Sequence, residues 1–157
     1  GHPHRSTLDT LERFGVKKYI GALEEVITAT ALDFGITLQK CNEINPTVER
    51  PYPALWHLSQ EGKKKISAIG IAISNRVAYH GFDLSVNNDS ARYHNIISDL
   101  VNIDLSCGFN TKPSSMEEIL SRKLNTEEVK KRVIENFIFT FTYTERAKEE
   151  ALENARL

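Results

Sequence analysis

Two side chains in this sequence are of types suited to covalent chemistry: Lys65, the last of three lysines that open "KKKISAIGIAISNRVAYHGFDLSVN", and Cys107 in "DLSCGFN". A cysteine attacks as its thiolate, and with an ordinary pKa of about 8.5 only a few per cent of it is ionised at pH 7. An ammonium held beside the sulfur stabilises the thiolate, at about 1.4 kcal/mol for each pK unit of depression. Lys65 is the candidate partner because it lies where a strand begins and a hairpin can fix its backbone, whereas Lys63 and Lys64 lie further out and read as solvated. Gly108 directly follows Cys107, so a backbone N–H can approach a bound carbonyl oxygen as an oxyanion site needs. The same residues also have a plainer reading. Lysine runs beside turns are usually solvated faces and single cysteines usually inert, so the pattern alone leaves both readings open.

The elements that would position this pair are legible from periodicity. In residues 64 to 74 the even positions Ile66, Ala68, Gly70 and Ala72 give one strand face nearly bare of bulk, with space beside the backbone. "SNR" at 74 to 76 reads as a turn, and the return strand alternates Ala78, His80, Phe82, Leu84 and Val86, which predicts a hairpin. Upstream, Val16, Ile20, Leu23, Ile27, Thr30 and Phe34 recur at three and four, the period of a helix with one buried face. Gly35 is the expected stop. "ITLQKC" reads as a short strand, and "NEINPTVERPYP", with its prolines, as a loop. Ser114 with Glu117 and Asn125 with Glu128 have capping-box spacing at the starts of two further helices, the second bearing Val129, Val133 and Phe137. "FIFTFTYT" alternates well enough to suit either a helix or a strand, and the charged "ERAKEEALENARL" reads as a solvated terminal helix. This order predicts an α+β fold, a mixed or antiparallel sheet with packed helices.

Composition narrows the function classes. The 157 residues, 40% hydrophobic and 26% charged, have the make-up of one globular domain. Twenty basic against 21 acidic residues leave a formal charge of −1, without the attraction that nucleic-acid binding relies on. No apolar run approaches the roughly 18 to 20 residues of a membrane span, and "GHPHRSTLD" has neither signal-peptide nor transit-peptide character. Cys41 and Cys107 are too few for a disulfide framework and lack zinc-ligand spacing. A reducing compartment, no metal and no cofactor are therefore expected.

At the level of motifs, "KISAIGIAISNRVAYHGFDLSVN" resembles the lysine-containing signature of the lipoyl (octanoyl) transferases, and "CGF" followed by "SSMEEIL" is similar to that family's cysteine–glycine segment and the helix after it. "TLDTLERFGVKKYIGALEEVITATALDFGI" is similar to the family's central helix, so the resemblance runs over roughly residues 7 to 140. It implies a biotin/lipoate protein ligase-like domain over 1–157 that lacks its N-terminal portion. Cys107 would carry the acyl group as a thioester, and Lys65 would lower the cysteine's pKa and shuttle protons. Ala68, Ile69 and Gly70 from one strand, with Gly81, Phe82 and Asp83 from the other, would line the acyl channel. His80 would orient the site or sit as a satisfied core histidine. Implied partners are octanoyl-acyl carrier protein and the lipoyl domains of 2-oxoacid dehydrogenase complexes and of the glycine cleavage H protein. The compartment would be the mitochondrial matrix in a eukaryote and the cytoplasm otherwise.

Several features depart from the family's pattern. An arginine–glycine–glycine stretch and a histidine–glycine–proline–glycine stretch that wall the pocket have no counterpart, Asp83 stands where a small residue is usual, Ser106 replaces a proline, and "NNDSARYHNIISDLVNIDL" is longer than expected. These departures suggest a second reading, a non-catalytic structural or binding subunit completed by a partner chain. An exposed sheet edge or open apolar cleft beside the hairpin is then expected. The ATP-dependent lipoate and biotin ligases share the general fold but work through an adenylate and need no cysteine nucleophile.

Overall fold

The computed structural model describes residues 4–45, 47, 53–75, 77–87 and 112–154, with side chains described between 15 and 142. Cys107, Gly108 and the 88–111 segment lie outside the described residues. The elements follow in order: α1 (His4–Asp33), β1 (Gln39–Lys40), α2 (Cys41–Ile44), β2 (Ala54–Ser59), β3 (Gly62–Ser74), β4 (Val77–Leu84), β5 (Lys112–Pro113), α3 (Met116–Leu120) and α4 (Thr126–Asn154). Strands β1 to β4 are antiparallel neighbours in sequence order, and β5 joins β3 in parallel. The sheet is thus mixed and the fold α+β, as the pattern predicts.

Helix α1 is interrupted at Gly15, whose φ of 68° and ψ of 170° are not helical, so the amphipathic segment starts at 16. Leu23, Ile27 and Thr30 are buried, and Ile20 and Phe34 half-buried. Val16 corrects the expected stripe: it is 49% exposed, because it begins the turn just after the break. The helix stops in a Schellman arrangement. The Ile36 N–H donates to the Ala31 carbonyl (2.9 Å) and the Gly35 N–H to the Leu32 carbonyl (2.8 Å). Gly35 takes φ of 87°, a left-handed conformation that costs glycine little. Ile36 and Ala31, both fully buried, make the apolar contact that completes the motif.

Helices α1 and α4 pack together on one face of the sheet, and Leu23, Val26 and Ile27 share a core with Leu55, Ile66, Ile69, Met116, Val129 and Phe141. The ambiguous "FIFTFTYT" is helical as far as the described ring contacts reach. Phe137 stacks on Phe141 four residues on, with centroids 4.4 Å apart, and Phe141 meets Tyr19 of α1 at 5.8 Å. Strand alternation would have placed Phe139 beside them, yet it is 65% exposed.

Three other expectations are corrected locally. The 36–41 strand shrinks to Gln39–Lys40, because Cys41 opens the short α2, tied by the Glu43 carboxylate accepting the Lys40 N–H at 2.7 Å. The capping box of α3 is one residue later than the spacing suggested. Ser115 Oγ accepts the Glu118 N–H at 3.3 Å, while Glu118 accepts from the Ser115 N–H and from the Ser114 hydroxyl. For α4, Asn125 Oδ1 caps the Glu127 N–H at 3.0 Å rather than pairing with Glu128.

One polar side chain fastens the sheet to the helices. The Asn87 amide donates to the Leu124 carbonyl (2.6 Å) and accepts the Leu124 N–H (2.9 Å), occupying both backbone groups of a residue only 6% exposed. Asn87→Ala should therefore cost about 1–3 kcal/mol, since it leaves a buried donor and acceptor unpaired. A lowered urea midpoint at unchanged slope would show it, and a midpoint within error of wild type would refute it.

Candidate active site

The three lysines separate as β3 leaves its turn. Lys63 is exposed, and Lys64 reaches back to Glu61 at 2.6 Å, an ammonium contact that holds the Glu61 carboxyl below its usual range. Lys65 is half-buried and stands opposite Trp56 of β2. Its carbonyl accepts the Ser114 N–H at 2.8 Å, where β5 runs alongside.

A bulge decides which way Lys65 faces. Leu55 pairs with Ser67 and Trp56 with Lys65, so Ile66 is an extra residue with no partner on β2. Cross-strand partners share a face, and so do residues two apart on a regular strand. Ala54 pairs with Ala68 and Trp56 with Lys65, so Lys65 and Ala68 lie on one face although they are three apart in sequence. Strict alternation predicted otherwise, with Ile66 on the small face and Lys65 across the sheet. Ile66 instead turns into the helical core, where it is 1% exposed.

The face thus assembled carries Lys65, Ala68, Gly70 and Ala72 on β3, with Asp83, Gly81 and Tyr79 opposite the last three on β4. Gly70 faces Gly81, and a Cβ added at either would meet nothing within 4 Å. The two glycines thus leave open space over this stretch of the face, here called the trough. Its floor continues into a small cluster of Cys41, Ala54 and Trp56, joined by Ile44 and Ala68. Of the residues assigned to a channel, Ile69 and Phe82 do not line this trough. Both pack toward the helical core, because on the β3–β4 ladder they sit one step out of phase with Ala68 and Asp83. They contribute backbone only.

Asp83 does not stand free in the trough. Its Oδ1 accepts the Ala68 N–H at 2.7 Å and its carbonyl accepts the buried Ser67 hydroxyl at 2.6 Å. His80 is exposed, which removes the core-histidine alternative. It holds φ of 72° in mid-strand, ahead of Gly81 at 148°, and its ring lies edge-on to Tyr79 with centroids 5.1 Å apart. Left-handed backbone is uncommon outside glycine, though histidine is among the residues enriched there. It marks β4 as locally strained beside the trough.

Sequence reasoning missed Trp56 and the Asp83 bonds. Trp56 was within reach of counting back from the Gln60–Glu61 turn, since Ser59 pairs with Gly62 and each step outward brings Trp56 opposite Lys65. A cavity of about 330 Å³ lies elsewhere, between α1 and the β1–α2 corner, with Lys17, Glu24, Lys40 and Cys41 among its lining. Cys41 at the end of the trough's floor borders it, whereas Lys65, Ala68, Gly70, Gly81 and Asp83 do not. Within its rim Lys40 and Glu24 form an ion pair at 3.2 Å. The outer edge of β4 has no strand partner among the described residues, and Val77 and Tyr79 on it are 52% and 45% exposed.

Comparison with known proteins places this geometry. Residues 6–138 match the model of the lipoyl protein ligase A/B catalytic domain. An octanoyltransferase of Koribacter versatilis is 30% identical over 142 residues, covering 90% of this chain and 50% of the relative. One of Dictyoglomus thermophilum is 33% identical over 130 residues, covering 82% and 47%. One of Desulfotalea psychrophila reaches 38% over 74 residues, covering 47% and 29%. The chain spans about half the length of the first two relatives. With a match over most of its length and an α+β sheet of the kind described, the chain belongs to the lipoyl protein ligase A/B catalytic-domain family.

Proposed function

We propose that the protein moves an octanoyl or lipoyl group from acyl carrier protein to a lysine of a lipoyl domain through a thioester on Cys107. The observation that supports this best is the bulge at Ile66, which puts Lys65 on the same face as Ala68, Gly70 and Ala72. In the first half-reaction the Cys107 thiolate attacks the donor carbonyl. The carbonyl–sulfur bond to the carrier breaks, and the carrier thiolate leaves with a proton from the Lys65 ammonium. In the second, Lys65 as amine takes a proton from the attacking lysine of the acceptor, an amide forms, and the Cys107 thiolate is released.

Cys107 lies five positions before Lys112 of β5. Strand β5 pairs with Lys64 and Lys65, and this closeness in sequence supports the pairing of the two side chains proposed here. Carrier and lipoyl domains are typically acidic, and the exposed Lys17 and Lys63 suit their approach. Lys40 and Lys64 are engaged with Glu24 and Glu61 and fit that role less well.

The test is mass spectrometry after incubation with octanoyl-carrier protein. An octanoyl adduct on Cys107, absent from Cys107→Ser, is expected, because a serine hydroxyl without a strong base cannot replace a thiolate. The β4 edge, unpaired among the described residues, favours one second reading, a non-catalytic subunit completed by another chain. No adduct with or without such a chain would support that reading and sink ours.

A further inference from the structure

The position of Lys65 depends on where the extra residue of β3 sits, and a bulge can migrate along a strand unless something holds it. On its upstream side the holding bonds are backbone ones: Lys65 O accepts from Ser114 N at 2.8 Å and Ile66 O from Ser85 N at 2.9 Å. On its downstream side, the first two residues after Ile66 are both held by Asp83. Its carbonyl accepts the Ser67 hydroxyl, 1% exposed as a residue, and its carboxylate accepts the Ala68 N–H. Aspartate is disfavoured in strands, and an exposed one that bonds across the ladder to a neighbour's backbone has a definite geometric effect.

We propose that Asp83 is a positioning residue, which pins the bulge at Ile66 and thereby aims Lys65 along the trough. The inference rests on the reading of Lys65 and Cys107 given above. Asp83 does not touch the reacting atoms. It fixes the start of the regular β3–β4 ladder at the Ser67–Leu84 and Ala68–Asp83 pairs, so the inserted residue cannot move past them. Without the pin, the segment 65–68 samples neighbouring arrangements, and the ammonium is held less tightly where it must serve the sulfur.

Two readouts separate this from a general loss of structure: hydrogen exchange of the Ala68 amide, and the pH dependence of Cys107 alkylation by iodoacetamide. In Asp83→Ala, Ala68 exchange should accelerate at least about tenfold, the alkylation midpoint should move to higher pH, and acyl transfer should fall roughly ten- to a hundredfold in kcat with little change in KM. Asp83→Asn should restore all three, since its amide oxygen can accept the same N–H bond without the charge. Unchanged Ala68 exchange and alkylation in Asp83→Ala would overturn the inference. So would an Asp83→Asn variant that protects Ala68 yet alkylates like Asp83→Ala, because the charge and not the pin would then be acting. If instead Lys65→Ala leaves the alkylation profile at its wild-type position, the Lys65–Cys107 reading fails, while Ala68 exchange still reports on the pin.

Discussion

Lys65→Ala is expected to slow acylation of Cys107 by about 10²- to 10⁴-fold, the range that a positioned proton donor and acceptor commonly contributes. The change removes two things at once, the positive charge that favours the thiolate and the group that carries the proton to the departing carrier thiol. The alkylation midpoint of Cys107 should therefore rise toward that of an ordinary thiol. Lys65→Arg separates the two effects, since a guanidinium keeps the charge but releases a proton far less readily. It should recover thiolate formation more than turnover. Because Lys65 is only half-buried, neither substitution should cost much stability, so lost activity in a folded variant would be attributable to the side chain. Coincident alkylation curves for wild type and Lys65→Ala would show that Lys65 does not tune the sulfur.

Trp56→Ala should have the largest effect on stability, about 3–5 kcal/mol, the usual cost of emptying a large aromatic site. Trp56 is fully buried and is the largest member of the cluster that covers the far end of the open face, with Cys41 and Ala54 around it. Those neighbours are small, and the bulged ladder beside them has little freedom to close over the void. Such a loss is a large share of the 5–15 kcal/mol that typically separates folded from unfolded domains. Thermal or urea unfolding would measure it, with Trp56→Phe as a milder control. Trp56 is also the cross-strand partner of Lys65, so the folded fraction of Trp56→Ala should lose transfer activity as well. A destabilisation below about 1 kcal/mol would mean that the cluster collapses without cost.

Much of this arrangement was legible in the sequence because it depends on local period. The helix from 16 with its Gly35 stop, the β3–β4 hairpin with its turn at Asn75, and the caps near Ser115 and Asn125 are each written in a few consecutive residues. The stretch at 137–144 was not, since stacking of Phe137 on Phe141 depends on Tyr19, more than a hundred residues away. The site was legible in composition but not in phase. Lys65, Ala68, Gly70, Gly81 and Asp83 do share a face, while Ile66, Ile69 and Phe82 fall on the other. The reason is that one unpaired residue reverses the alternation, and no propensity of Ile66 itself announces it. Asp83 read only as a departure from the usual small residue, because its bonding to Ala68 exists only once the strands pair.

The bulge gives β3 two reading frames. Before Ile66 the residues that face the helices occupy one parity of the numbering, and after it they occupy the other. A saturation scan of β3 should show tolerance to polar substitution switching from odd to even positions across that point. Deleting Ile66 itself should leave Lys65 opposite Trp56 and Ser67 opposite Leu55 in a regular ladder, whereas deleting one residue from the paired stretch 68–72 would behave as a frameshift of side chains and exchange what faces the trough. A compensating one-residue insertion next to such a deletion in 68–72 should restore the frame whatever the inserted residue is. Alignments of relatives across this strand should accordingly be anchored on facing rather than on residue count.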